Sequence, residues 1–379
     1  MGLTRTDSKT AKRETGAKWR SLDPVLLLIS LALSALGILA VYVAGADARE
    51  AYAMNQAFGF AAGLAAAVPL ALIDYRLWQR YLRPIYALVL LMLLTVLVVG
   101  AAAGGAQRWV DIGPVQVQPS EFAKLGIVIV LAGYFAEKPV GEHTVFLKAL
   151  CILSVPALLV FMQPDLGTAL VFGAVFVAMA YVAGAKLVQL ASLVAAGVAA
   201  AVLVVKFRFL ESYQVARLTA FADPDCTNEI SYQVCQSKMA IGSGGLTGKG
   251  LDAQTLANLG FLPEDHTDFI FSNLAERVGF VGSILLIGLF FFLAWRILHV
   301  ATISRDRFGV LIAVGVATVF LFHVFVNVGM TMGIMPVTGI PLPFISYGRS
   351  NLVVSVLSLG LLQSIAIHSK AEVLKHPKV

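Results

Sequence analysis

Apolar residues in this chain neither alternate nor recur on one helical face. They run in long blocks separated by short polar breaks. A helix that crosses a bilayer needs about 20 mostly apolar residues. Ten blocks qualify, at 25–45, 56–74, 83–104, 120–136, 146–162, 166–184, 187–206, 274–298, 308–330 and 350–368. Several contain Gly or Pro, which membrane bundles tolerate when neighbouring helices re-satisfy the backbone. The pattern predicts an all-α, polytopic membrane protein of about ten transmembrane helices. It divides the chain into a basic cytosolic segment (1–24), one ten-helix membrane domain (25–368) and a basic cytosolic tail (369–379).

One polar break is unlike the others. Residues 207–267, between the seventh and eighth blocks, form a segment too long for a simple connection. It is rich in aromatics (Phe207, Tyr213, Phe221, Tyr232) and predicts an amphipathic helix near 229–241. The run Gly242-Ser243-Gly244-Gly245 then reads as a turn or hinge. An ordered cap on the membrane surface is expected here. Cys226 and Cys235 both fall in this segment, nine residues apart. On an oxidising face a disulfide and a pair of free thiols both fit, because spacing does not establish geometry. Cys151, inside a span, reads as inert packing. No internal repeat is visible, which disfavours the inverted-repeat transporters.

Composition agrees with the pattern. The 379 residues are 59% hydrophobic and 13% charged, with mean hydropathy +0.84. Soluble domains carry roughly a quarter charged residues. The first apolar block is too long for the core of a signal peptide, so it is read as a membrane helix. Net charge is +6, and 18 of the 28 Lys and Arg fall in segments on the side of the N-terminus. That bias predicts both termini in the cytosol and the long segment outside. No basic stretch is interleaved with aromatics, so nucleic acid is not an expected partner.

Chemistry then collects on the outer rim. "LPEDHTDFIF" (262–271) packs Glu264, Asp265, His266 and Asp268 against the start of the eighth span. Thr267 reads as an N-cap, with Asp268 in the first helical turn, where the helix dipole favours a carboxylate. Such a carboxylate at an apolar lip can act as a general base or hold a divalent cation. One His and no Cys at ligand spacing make zinc a poor fit. Glu276 and Arg277 read as an interfacial pair with snorkelling side chains. In "GGAQRWVDIGPVQVQPSEFAK" (104–124), an outer loop offers Arg108 and Trp109, and Ser120 reads as the cap of the fourth helix. Lys124 follows Glu121 by three residues and so shares its helix face inside a span, where ionisable groups are functional by default. Arg108 and Lys124 suit an anion such as diphosphate. Asp165 in "QPDLGTA" (163–169) can cap the sixth helix. The Pro- and Gly-rich run 327–351, with Ser346, Tyr347 and Arg349, reads as a re-entrant segment. His323 and Asn327 are expected to bond between helices. Four rim segments at one depth, carrying acids and bases beside apolar helices, describe a site for a lipid-linked anionic substrate.

These motifs resemble the SEDS family (shape, elongation, division and sporulation). The resemblance rests on GAQRWVDIG (105–113), QPSEFAKL (118–125), QPDLGTAL (163–170), YQVCQSKMAIGSGGLTGKGL (232–251), FLPEDHTDFIF (261–271) and MPVTGIPLPFISYG (335–348). MPVTGIPLPF looks like the elongation branch of the family rather than its division branch. The resemblance implies a peptidoglycan glycosyltransferase in the bacterial cytoplasmic (inner) membrane, with its active site on the outer face. It would join lipid II units into glycan strands, release undecaprenyl diphosphate and partner a class B penicillin-binding protein. It also implies that Asp268 is the catalytic residue. The residues expected to meet substrate are Arg108, Trp109, Glu121, Lys124, Asp165, Glu264, His266, Thr267, Ser346 and Arg349. A Lys or Arg, or a divalent cation such as Mg2+ or Mn2+, must stabilise the departing diphosphate. Arg349 stands where the family's SYGGS motif has glycine. A precursor flippase or a scaffold for the penicillin-binding protein is the alternative. Either would do without a base at position 268.

Overall fold

The structure, a computed structural model, describes residues 21–375 apart from 46–48, 104–105, 114, 208–211, 223–225, 227, 254, 257–261 and 263. Most of the basic N-terminal segment and the end of the tail lie outside the described residues. The first helix, α1 (Pro24–Ala44), starts on Asp23, whose carboxylate accepts from the Leu26 amide at 3.1 Å. Pro24 suits the first turn because no hydrogen bond is required there. The same carboxylate pairs with Arg296 at 2.7 Å. Gln363 bonds both backbone groups of Asp23, which ties three helices together at the predicted cytosolic end.

The membrane helices follow in order: α2 (Arg49–Leu72), a short α3 (Leu77–Arg80), α4 (Leu82–Val99), α5 (Pro119–Glu137), α6 (His143–Met162), α7 (Leu166–Val182) and α8 (Leu187–Lys206). Among the described residues nine helices are long and apolar enough to cross a membrane, and α7 is an apolar helix of 17 residues. The protein is an integral membrane protein. Packing between α2 and the last helix relies on small residues. Gly59, Gly63, Ala67 and Ala71 recur every fourth position on the buried stripe of α2, the spacing that lets membrane helices approach closely. A Cβ at Gly360 would come within 2.7 Å of the Ala67 carbonyl.

Sequence 101–117, expected as helix end and loop, is an antiparallel sheet: β1 (Ala101–Ala103), β2 (Ala106–Ile112) and β3 (Val115–Val117), in the order β1-β2-β3. The helix stops at Val99 because the chain turns at Gly100 into an extended run that pairs with itself. Beyond α8 the outer segment holds α9 (Ser212–Thr219) and α10 (Glu229–Ser243). Asn228 caps α10 through the Ser231 amide at 2.9 Å. Cys226 and Cys235 are joined by a disulfide, with Cα atoms 6.2 Å apart. Cys151 faces outward from its helix and is not core packing.

The eighth span, α11 (Ile270–Ile303), is broken at Gly279, whose φ of 68° and ψ of −168° only glycine adopts readily. The glycine-rich run after α10 occupies the break. Gly245 and Leu246 carbonyls accept from Phe280 and Val281, while the Lys249 and Gly250 amides donate to Glu276 and Arg277 carbonyls. That run is therefore a docked strap and not a hinge. A Cβ at Gly244 would lie 2.3 Å from the Ala275 carbonyl. Glu276 and Arg277 do not snorkel or pair with each other; both are buried. Glu276 holds Lys249 at 2.7 Å and the Leu256 amide at 3.1 Å. Arg277 holds Asn273 at 2.8 Å and the Val43 carbonyl at 2.9 Å. Burial is tolerated because every charge has partners.

After α12 (Arg307–Thr331), residues 332–348 run without regular structure into α13 (Arg349–Lys375). This segment packs inside the bundle, with its Phe344 carbonyl against Gly37, well within α1. Irregular backbone at that depth survives only when the protein itself buries it.

Candidate active site

The outer ends of these helices surround one chamber of about 400 Å³. Of the residues expected to meet substrate, Arg108, Trp109, Glu121, Lys124, Asp165, Glu264, His266, Thr267 and Arg349 line it together with Asp268. Ser346 does not. It is buried, donates its hydroxyl to the Thr267 carbonyl at 2.7 Å and accepts from the Leu342 amide at 2.8 Å. Both sides of its hydroxyl are committed to the backbone, so its work is to hold the neighbouring loop.

That loop is the His266-Thr267-Asp268 turn. Three successive carbonyls accept from other elements: His266 from the Tyr347 amide at 2.9 Å, Thr267 from Ser346, and Asp268 from the Asn327 side chain at 2.9 Å. Asn327 also donates to the Ile340 carbonyl at 2.8 Å. Asp268 sits in this turn, two residues ahead of α11, and not in the helix's first turn. Thr267 is no cap. Its hydroxyl donates to the Glu264 carboxylate at 2.7 Å. The helix begins later because Glu264 accepts backbone bonds from Thr267 and Phe269 and closes a tight turn of its own. Glu264 itself has φ of 54°, a conformation held by those bonds.

His266 stacks on Tyr52 of α2, with ring centroids 4.8 Å apart, and its Nδ1 lies 3.2 Å from Asp265. Asp265 accepts from Asn273 at 3.0 Å, and Asn273 accepts from Arg277. The hydrogen bond to Asp265 holds the His266 pKa above its ordinary 6.5, against the opposing effect of burial. Burial raises the Asp268 carboxyl above 3.8; Arg217 is its chief counterweight, Glu264 adds to the rise, and Arg108 and His266 oppose it. The Asp268 carboxyl is thus pushed up by burial and by Glu264 and held down by three nearby cations.

Deeper in the chamber, Glu121 and Lys124 are ion-paired at 2.7 Å and both buried. His323 of α12 approaches the Lys124 ammonium at 3.1 Å and Asn351 donates to Glu121 at 3.0 Å. Asp165 caps α7 as expected, accepting from the Thr168 amide at 3.1 Å. It also accepts from Ser120 at 3.3 Å. Ser120 is therefore not the α5 cap; that position is Gln118, which makes no side-chain cap bond. Arg108 donates to the Gln163 carbonyl at 3.3 Å and to the Pro164 carbonyl, which orients its fork.

The chamber also has lining residues that were not expected to meet substrate, Arg217, Gly339 and Tyr347 among them. Arg217 comes from α9 in the outer segment, Tyr347 and Gly339 from the irregular run. Arg217 carried no motif signal. Gly339 did carry one, lying in a Pro-Gly-rich stretch, and its φ of 72° explains the glycine. Its backbone passes so close that an added Cβ would stand 3.1 Å from the Arg217 guanidinium and 3.2 Å from the Asp268 carboxylate. Among the described residues no three His, Cys, Asp or Glu side chains are grouped to hold a metal ion.

Beside the chamber lies a second hollow of about 470 Å³, a groove walled by α6, α7, α8 and α12. Its lining is almost wholly apolar, from residues such as Phe161, Leu170, Val204 and Phe322.

A bundle of membrane helices with a charged chamber at one rim and an apolar groove at its side defines a class of integral membrane protein. Residues 23–371 match the cell cycle protein family of FtsW, RodA and SpoVE. The chain belongs to this family, the SEDS proteins. It is 37% identical over 354 residues to the peptidoglycan glycosyltransferase MrdB of Escherichia coli K12, covering 92% of this chain and 94% of that one. Stage V sporulation protein E of Bacillus subtilis is 33% identical over 367 residues, covering 93% and 99%. The rod shape determining protein RodA of Thermus thermophilus has a similar structure, with TM-score 0.70 at 30% identity over 92% of this chain and 97% of that one. A chain of a peptidoglycan synthase complex that coordinates polymerization and crosslinking superposes with TM-score 0.77, at 30% identity over 92% and 98%.

Proposed function

We infer that this chain is a peptidoglycan glycosyltransferase of cell elongation, which joins lipid II disaccharides into glycan strands and releases undecaprenyl diphosphate. The observation that carries the mechanism is the Asp268 turn. Its carboxylate faces the chamber while the three carbonyls of the turn are pinned from three other positions.

Asp268 takes the proton from the acceptor's sugar hydroxyl. The freed oxygen attacks the anomeric carbon of the donor, the bond to the diphosphate breaks and its electron pair leaves with the diphosphate. One displacement turns an α-linked donor into a β-linked product. Negative charge grows on the leaving group, and fixed cations at that position lower the barrier. Arg108, Lys124 and Arg349 line the chamber on this account. Where Mg2+ or Mn2+ takes part, it would be held by diphosphate oxygens with Glu264 or Asp268, since Mg2+ commonly uses one or two carboxylates plus substrate phosphate. The apolar groove suits the polyprenyl chain of the substrate.

The reading places the protein in the bacterial inner membrane with both termini cytosolic and the chamber outside. A class B penicillin-binding protein is the proposed partner, crosslinking the strands as they emerge. The test is polymerisation of labelled lipid II by purified protein, wild type beside Asp268→Asn, with Mg2+ and Mn2+ varied and with or without the partner. Removing a positioned base costs about 10² to 10⁴ in rate. Normal polymer from Asp268→Asn would remove Asp268 from the mechanism. Absence of polymer from the wild type, where a related enzyme works, would favour transport or scaffolding.

A further inference from the structure

The chamber and the apolar groove share two lining residues among those described, Arg108 and Arg217. A lipid-linked sugar has one group that must lie at such a boundary. Its sugars need the polar chamber, its chain needs the groove, and the diphosphate joins them. Arg108 is oriented there by the Gln163 and Pro164 carbonyls. Arg217 arrives from the other side, on α9 of the outer segment.

Arg217 is seated firmly. Its own carbonyl accepts from the Val337 amide at 3.2 Å. Gln214 and Ala220, on either side of it, are buried, and Ala220 packs in one small core with Val337 and Phe269. The remaining cations are less suited to the portal. Lys124 is buried in an ion pair with Glu121 and lines the chamber but not the groove. Arg349 lines the chamber but not the groove, and its stem packs on Gly59 of α2.

Resting on the glycosyltransferase reading above, we propose that Arg217 binds the diphosphate of the lipid-linked donor. With Arg108 it forms a two-guanidinium clamp at the mouth of the apolar groove. Guanidinium groups meet phosphate oxygens in a planar fork that an ammonium cannot copy. The same residue faces Asp268 across Gly339. The clamp therefore sets the leaving group at a fixed distance from the base. The diphosphate, once released, remains attached to a chain already lodged in the groove.

The test is equilibrium binding of undecaprenyl diphosphate, undecaprenyl monophosphate and undecaprenol to the full-length protein, comparing wild type with Arg217→Gln and Arg217→Lys. The proposal expects Arg217→Gln to weaken diphosphate binding about tenfold or more, as loss of a charge-assisted fork does. Undecaprenol binding should be unchanged, and Arg217→Lys should fall between. Undiminished diphosphate binding by Arg217→Gln overturns the proposal. So does an equal loss of undecaprenol, which would make Arg217 a wall of the groove. Lipid II polymerisation by the same wild-type preparation is scored in parallel. Its absence sinks the underlying reading, whereas its presence with intact diphosphate binding in Arg217→Gln sinks the clamp alone.

Discussion

Ser346→Ala separates two roles that sequence reasoning had merged. The substitution removes one oxygen from a buried site and leaves the fold's apolar contacts in place. Two bonds are lost, one to the Thr267 carbonyl at 2.7 Å and one from the Leu342 amide at 2.8 Å. Leu342 is fully buried, so water cannot replace the acceptor there. An orphaned buried donor costs about 1–3 kcal/mol. The turn retains its other two anchors, from Tyr347 and Asn327. Loosening without collapse is therefore expected. A misplacement of about 1 Å at a catalytic group costs up to about 100-fold, and partial anchoring should limit the loss in kcat to about tenfold. The assay is steady-state polymerisation of lipid II, with kcat and KM resolved, alongside the thermal midpoint in detergent. A positioning residue lowers kcat and leaves KM near the wild-type value. A rise in KM with kcat intact would mean that Ser346 touches substrate and would refute this reasoning.

Gly339→Ala should insert and fold but polymerise at least about tenfold more slowly, because its Cβ would press on both Arg217 and Asp268; wild-type turnover would show that the two side chains yield easily. The acid limb of the kcat/KM profile should lie above the ordinary Asp value of 3.8, because Asp268 must be ionised to accept a proton and burial raises its pKa. Activity is then lost as pH falls through that raised value. His266→Gln should move the limb to still higher pH, since protonated His266 opposes the rise; an unmoved limb would detach His266 from Asp268.

Much of this molecule was legible in its sequence because the membrane imposes strong rules. Block length gave the helices, and charge placed on four rim segments gave the chamber. Reading failed where the backbone departs from helix. Residues 101–117 are too short and too apolar at their start to be told from a span end, so the small sheet was missed. Ser120 and Thr267 sit at helix starts and look like caps, yet each hydroxyl goes to a carboxylate on its own or another segment. Glu276 and Arg277 look like an interfacial pair because sequence shows them adjacent. It does not show that a strap starting at Gly245 returns to satisfy both. Arg217 was invisible for a similar reason: a lone arginine in a long loop has no pattern, and only tertiary packing aims it.

The non-helical parts also explain why the outer segment and the Asp268 turn belong together. Breaking α11 at Gly279 frees backbone groups in a place where water is scarce, and the glycine-rich strap satisfies them. That docking buries Arg277 between the strap, the end of α1 and Asn273. Asn273 in turn donates to Asp265, whose other oxygen meets His266, one residue from Thr267 and two from Asp268. The turn that carries Asp268 is thus held on one side by α12 and the 332–348 segment, and on the other by a polar chain that begins at the strap. A helix end alone could place a carboxylate at the rim, but it would not fix that carboxylate against a cation from a different segment. The broken helix and the buried irregular segment allow a residue of α9, Arg217, and a turn residue, Asp268, to meet across Gly339. Docking of the outer segment and the geometry of the active site are, on this architecture, one property.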